Sequence, residues 1–266
     1  MRKLLAIALI AASFSCEKVI EIPVDDAEQR IVVEGQLYDM LNESYVRLSR
    51  TGSVYQEDNF ETISGATVTV TDNQGGSWVF TESLVEPGLY TDPSFVVQPL
   101  TTYSLVVDIN GELITAESST FNNVAFDSLD YFMQVGGGFG GTGNPDDTSF
   151  FTFYNFTDDA NYSNYYRAIP FINGVPGSAY LSEDELFNGQ NFRQPFFADI
   201  FEPKDTLWAL LTSMDADVYK YFSSLENNQD SGPFSAVPSN PVSNLNGDAI
   251  GFFGAFLTDT AVVIYP

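Results

Sequence analysis

The chain has 266 residues, with 36 acidic side chains against 10 basic ones and a formal charge of −26. It carries one cysteine and no histidine, which removes the commonest general base and the commonest transition-metal ligand together. Ser-His-Asp and Cys-His catalysis, zinc, haem and iron–sulfur centres and an internal disulfide therefore have no residues to build on, and the negative charge argues against nucleic acid or anionic lipid as a partner.

At the N-terminus, Arg2 and Lys3 form a short basic start, and Leu4 to Ala12 is unbroken apolar sequence. Ser13-Phe14-Ser15 follows, placing small residues where a signal peptidase reads, and the apolar part is too short to span a bilayer. The single cysteine, Cys16, comes immediately after. This order resembles the lipobox of bacterial lipoproteins. It implies that residues 1–15 are a signal peptide and that Cys16 is diacylated through its sulfur and becomes the new N-terminus. The plainer alternatives are an ordinary secretory signal with an incidental cysteine, or a buried thiol. Removing residues 1–15 takes away two cations and no acid, so the remaining charge is −28. Each buried acyl methylene contributes about 0.8 kcal/mol, so two or three chains anchor stably where one does not. No other stretch approaches the ~20 apolar residues of a membrane span.

Residues 16–29 read as a polar tether, with Pro23 and the acidic pair Asp25-Asp26. Short strands at regular spacing follow. "RIVVEGQLYD" (Arg30–Asp39) mixes β-branched and polar residues, and "SYVRLSRTG" (Ser44–Gly52) alternates, with Val46 and Leu48 on one face. "ATVTVTDNQGGSWVF" (Ala66–Phe80) is a hairpin turning at Asp72-Asn73-Gln74-Gly75-Gly76, and "PGLYTD" leads into another strand. "TYSLVVDINGELITAES" (Thr102–Ser118) is a second hairpin turning at Asn110-Gly111. Residues 30–122 therefore predict an immunoglobulin-like β-sandwich in an all-β protein.

Residues 123–266 predict a second β-rich domain. "DSLDYFMQV" runs into the glycine-rich Gly136–Gly143 and then Asn144-Pro145-Asp146-Asp147. "SFFTFYNFTDD", "NYYRAIPFING", "QPFFADIF" and "DTLWALLTS" continue the strand texture. One amphipathic helix interrupts it at Met214–Gln229, where Val218, Tyr221, Phe222 and Leu225 recur at helical spacing and Asp215 or Asp217 serves the free amides. The tail "GFFGAFLTDTAVVIYP" predicts two more strands.

Taken in order, Cys16-Glu17-Lys18, "IVVEG", "VRLSRT", "SGATVTVTD", "GLYT", "TYSLVV", "DVYKYFSSLENN" and "NPVSNLNGDAIGFFGAF" resemble the DUF4249 lipoproteins of the Bacteroidota. The resemblance spans nearly all of residues 16–266. It implies an outer-membrane, lipid-anchored and surface-exposed protein, encoded beside SusC-like TonB-dependent transporters, and it supplies no catalytic residues.

Several side chains are candidates for chemistry. Asp72 to Gly76 is acidic, but lacks the alternating oxygens and distant Glu of a calcium loop and reads as a turn. Asp146, Asp147, Asp158 and Asp159 are candidate calcium ligands, against the plainer reading of solvated loop carboxylates. The glycine run lacks a following Lys-Ser/Thr and reads as a loop between strands, with or without reach to a neighbour. Tyr162, Tyr165 and Tyr166 stand near a turn and are candidates for an exposed stacking or interface surface, although half of such aromatics must face a core. Ser128, Thr206 and Thr260 each sit in an Asp-Ser/Thr-aliphatic tripeptide, an O-glycosylation acceptor that needs an exposed loop. No cofactor is implied, calcium aside.

The function these readings predict is non-enzymatic. The chain is an accessory or binding subunit of an outer-membrane β-barrel complex, with a SusC-type TonB-dependent importer as the first partner. The alternatives are a structural subunit of an assembly or secretion machine, and a carboxylate-based hydrolase, for which no acid pair identifies itself.

Overall fold

The computed structural model describes residues 29–52, 60–136, 148–229 and 240–266. Among the described residues the regular structure is β-strand apart from one α-helix and a short 3-10 turn at Asp184–Leu186. Seven strands come first: β1 (Ile31–Tyr38), β2 (Tyr45–Arg50), β3 (Thr67–Asp72), β4 (Ser77–Glu82), β5 (Leu89–Thr91), β6 (Thr102–Ile109) and β7 (Glu112–Ser119). Next come β8 (Phe126–Val135), β9 (Thr148–Thr157), β10 (Tyr165–Ile172), β11 (Val175–Pro176), β12 (Tyr180–Glu183), β13 (Asn191–Pro195) and β14 (Thr206–Met214). The helix α1 (Ala216–Gln229) precedes the last two strands, β15 (Leu245–Asn246) and β16 (Ala249–Ile264).

Period-two burial makes the first sandwich. In β1 every second residue is buried, and Val46 and Leu48 of β2 are fully covered. These side chains meet Val68, Val70, Leu105, Val107 and Ile114 from the facing strands in one core, aliphatic for the most part, with Phe80, Tyr90, Phe95, Tyr103 and Phe253 among them. Both expected turns form. Asp72 Oδ1 accepts the amides of Gln74 (2.9 Å) and Gly76 (2.6 Å), so its carboxylate closes the hairpin. Asn110 and Gly111 both have positive φ (54° and 94°), the backbone that a two-residue turn between twisted strands requires.

The second sandwich packs β10, β14 and the distal half of β16, with β11 and β12 at the margin, against a separate sheet ordered β13-β9-β8. Its core is aromatic: Phe150, Tyr154, Phe156, Tyr166, Phe196, Phe201 and Tyr265 are all buried.

The pairing crosses the division read at 122/123. β16 pairs parallel with β1 from Ala249 to Phe256, then antiparallel with β14 from Leu257 to Ile264. One 13-stranded sheet thus runs through both sandwiches. The tail is a single 16-residue strand where two were expected, because an exchange of partners leaves no local mark in the sequence. "QPFFADIF" is likewise strand only as far as Pro195. Phe196 then donates its amide to the Thr152 carbonyl, and Phe201 bridges Phe150.

Candidate functional site

Because side chains alternate along a strand, the outward residues of β1, β16, β14 and β10 share one face of the large sheet. Helix α1 covers the middle of that face. Val218 and Phe222 pack on Met214, Phe252 and Phe256. The helix starts where Asp215 fixes it: Oδ1 accepts the amides of Asp217 (3.0 Å) and Val218 (2.9 Å), the N-cap expected from the sequence. Oδ2 accepts the Ser119 amide (3.0 Å) and the Ser118 hydroxyl, which pins the helix to β7 of the first sandwich.

Past the helix the same face is open. Phe171 and Trp208 are cross-strand partners with ring centroids 4.5 Å apart, and Trp208 pairs in turn with Val262. Ile169 lies opposite Leu210, and Val262 and Ile264 are 60% and 68% exposed. Leu210 is buried and Ile169, Phe171 and Trp208 are half-buried, and with the exposed Val262 and Ile264 they form an apolar strip. Solvated strands ordinarily carry polar side chains on such a face.

A cation borders the strip. Arg167 lies on the same face with its guanidinium 4.4 Å from the centre of the Phe222 ring, a contact worth about 0.5–2 kcal/mol. Its Nε is buried with no hydrogen-bond partner, and burial lowers its pKa. Next to it the Tyr38 hydroxyl donates to Gln36 Oε1 (2.6 Å), and Gln36 Nε2 donates to the Tyr45 hydroxyl (2.6 Å). Burial, and Tyr45 beside it, push Tyr38 up to about 12. Burial also raises Glu226, against the pull of Arg167. Recesses lie elsewhere among the described residues, one of them about 480 Å³ over β1 and β2, lined by Val32, Glu34, Arg47, Ser49, Phe60 and Thr62 among others. A groove of about 620 Å³ is lined by Ser104, Thr115, Glu117, Asp217, Asn244 and Asn246 among others, and one of about 370 Å³ by Tyr165, Glu183, Asp184 and Glu185 among others.

Cys16, Asp146, Asp147 and residues 137–143 of the glycine run lie outside the described residues. Asp158 is buried; it accepts the Tyr166 hydroxyl, the Gly189 amide (2.7 Å) and Asn164 Nδ2 (3.2 Å). Asp159 accepts Asn122 Nδ2 and both the amide and the side chain of Asn161 (3.0 and 2.6 Å). The bond from Asn122, with those from Asn161, holds Asp159 below the usual carboxylate range. These oxygens serve as acceptors within the fold, and a cation would have to displace their donors. Among the described residues no three Asp, Glu or Cys side chains are grouped to hold a metal ion, and no helix is long and apolar enough to cross a membrane.

Of the three tyrosines expected outside, Tyr166 is 3% exposed and belongs to the aromatic core, since its strand alternates and its turn faces inward. Tyr162 and Tyr165 are half-buried, with Tyr162 against Phe121 and Tyr165 against Tyr219 of the helix. The three candidate glycan acceptors sit in strands β8, β14 and β16, not in loops. Thr260 is exposed, Thr206 is half-buried, and Ser128 is half-buried with Oγ accepting Asn155 Nδ2 (3.1 Å).

Sequence reasoning missed the strip and Arg167. A signal was present: Ile169 to Ile172 and Ala209 to Leu211 are apolar on both faces, the pattern of strands covered on both sides.

A family model described as a domain of unknown function, DUF4249, matches residues 17–261, so the chain belongs to that family. No curated protein matches it.

Proposed function

We propose that this member of the DUF4249 family is a non-enzymatic lipoprotein anchored at the outer-membrane surface through Cys16, and an accessory subunit of a β-barrel complex. A SusC-type TonB-dependent importer is the first partner. The observation that supports a contact-making role is the apolar strip around Trp208, half-buried at Ile169, Phe171 and Trp208 and exposed at Val262 and Ile264. Apolar side chains left partly open to solvent on one sheet face are a candidate interaction surface, and aromatic side chains are the usual anchors of such contacts. The shared sheet carries the strip on the same body as β1, which begins two residues after Gln29. Acyl chains on Cys16 would then hold that body at high effective concentration beside its partner.

The strip lines none of the recesses described above, and this favours a second reading. On that reading the protein is a structural subunit of an assembly or secretion barrel and touches no nutrient. Both are tested by a mild-detergent pull-down from the native outer membrane, with Cys16→Ala and Trp208→Ala beside the wild type. A stoichiometric TonB-dependent barrel, reduced in both variants, supports the first reading. An assembly or secretion barrel replaces it with the second. Recovery of the protein alone overturns both.

A further inference from the structure

The fold treats its sheet edges unequally. The large sheet ends in β11 and β15, which are two residues each, with β12, four residues long, beside β11. The small sheet ends on one side in β13, which closes with Pro195. Short strands and proline are the ordinary means of blunting an edge, since an open row of amides and carbonyls is a template for another chain. β8 is the exception. It is ten residues long, contains no proline, lysine or arginine, and pairs on one side only, with β9. The other side of β9 is taken by β13 and by Phe196 and Phe201. Among the described residues no strand lies beyond β8, and only its first amide, that of Phe126, is taken by a side chain of β16, Asp259 Oδ2 (2.7 Å), which leaves the edge open from Ser128 onward.

Its distal half is also uncovered by side chains. Tyr131, Phe132, Met133 and Val135 are between 41% and 61% exposed, and they point to both faces of the sheet. On the outer face Phe132 stacks on Phe151 (5.2 Å between centroids, 8° between planes), and Phe153 lies under the Arg193 guanidinium at 3.6 Å. This aromatic row stops at the open edge, where one more strand would continue it. The proximal half is acidic. Asp127 accepts from Thr157 and Asn191, and Asp130 accepts from Asn155, so each has neutral donors and no cation.

We infer that the open edge of β8 is a docking site for an extended segment of a partner protein, which adds as a fourth strand. The segment is basic at the end beside Asp127 and Asp130 and apolar beside Tyr131 to Val135. Backbone bonds along the edge provide affinity, and the two ends of the strand provide specificity. A second copy of the chain is disfavoured, because it would bring the same two acids and a formal charge of −26 to the contact. This surface differs from the strip centred on Trp208, and the inference requires neither a lipid anchor nor a barrel.

The test uses the full chain in mild detergent and synthetic peptides as long as β8, 10 residues. One has two lysines at one end followed by an alternating Val-Thr run. A second replaces the lysines with glutamates, and a third is the lysine peptide N-methylated at every second residue, which removes the ladder donors. The lysine peptide is expected to bind and to slow amide exchange across residues 128–135. Binding should be about tenfold weaker or more for the other two peptides and for the folded variant Met133→Lys/Val135→Lys. Failure of every peptide to bind, equal binding of the N-methylated peptide, or protection confined to other strands would overturn the inference. So would a concentration-dependent dimer of the chain alone that protects the same amides, because the occupant would then be a second copy.

Discussion

The first sandwich packs chiefly aliphatic side chains such as Val33, Val46, Leu48, Val68, Leu105 and Val107, with a few rings among them, whereas the second packs chiefly rings: Phe150, Tyr154, Phe156, Tyr166, Tyr180 and Tyr265. Aliphatic side chains bury no polar atom. Each buried tyrosine brings a hydroxyl that costs free energy unless it is bonded. The second core supplies those partners from side chains. Tyr166 donates to Asp158, Tyr180 to Asp199 (2.7 Å) and Tyr154 to Gln194 (3.2 Å), and Tyr265 bonds with Thr152. In the first core Tyr90 donates to the Ile63 carbonyl (3.0 Å), and Tyr103 accepts the Gln98 amide (2.7 Å), so backbone serves instead. The lesson is that the second sandwich satisfies its core hydroxyls with side chains, two of them the carboxylates of Asp158 and Asp199, whereas the carboxylates of the first, Asp72 and Glu82, hold turns at its margin. One sheet nevertheless joins the two.

The joint is the place to break both at once. Phe253 is fully buried where β16 enters the first core, and Phe253→Ala should cost about 3–5 kcal/mol. Calorimetry should then show both sandwiches melting earlier in one transition. A second sandwich that melts separately at its original temperature would mean that the shared sheet does not couple them. Gly251 has φ 110°, and a Cβ there would collide with the Val33 carbonyl oxygen across the β1–β16 pair. Gly251→Ala should cost about 1–3 kcal/mol in backbone strain alone, read as a lower denaturant midpoint, with the deficit largest in the first sandwich.

Asp158→Asn sharpens the contrast. It turns an acceptor of three donors into a group that brings N–H atoms to them, at a cost of about 1–3 kcal/mol. Hydrogen exchange should accelerate in β9 and β10 and stay unchanged in β3 and β6. Acid acts in the same direction but more weakly. Asp159 is held below its ordinary pKa, so its contribution is present above the unfolded carboxylate value and is lost as the pH falls through the folded one, below about pH 4. Glu82 is held down likewise in the first sandwich, by Ser64 and the amides of Gly88 and Gly65. Asp159→Asn should therefore flatten only part of the acid limb in a melting series. Least sensitive is the exposed pair Arg47–Glu86 (2.7 Å): Arg47→Ala should shift stability by less than about 1 kcal/mol in chemical denaturation.

Where signals were local, the sequence was readable. Val46 and Leu48 fall on the buried face as alternation requires, Asn110-Gly111 makes its turn, and Asp215 caps the helix whose Val218 and Phe222 are buried. The misplacements were all of partners. Tyr166 stands near a turn and reads as a candidate for exposure, yet its ring is covered by Phe156 of the small sheet and by Phe187 in the turn that follows β12. The acceptor tripeptides of Ser128, Thr206 and Thr260 imply exposed loops, yet each residue sits in a paired strand. The strip on Trp208 was not read at all, since burial on one face and exposure on the other cannot be told apart when both faces of a strand are apolar.

By itself, then, the sequence determined an all-β chain with hairpins at defined turns and one capped amphipathic helix, because alternation, positive-φ turns and N-caps are decided within a few residues. Only the tertiary structure decided that Ile31 pairs with Ala249, that one strand serves two sandwiches, and that β8 and the face of Trp208 are left open. A strand carries the same alternation whichever partner it takes, so parallel pairing across more than 200 residues has no local signature.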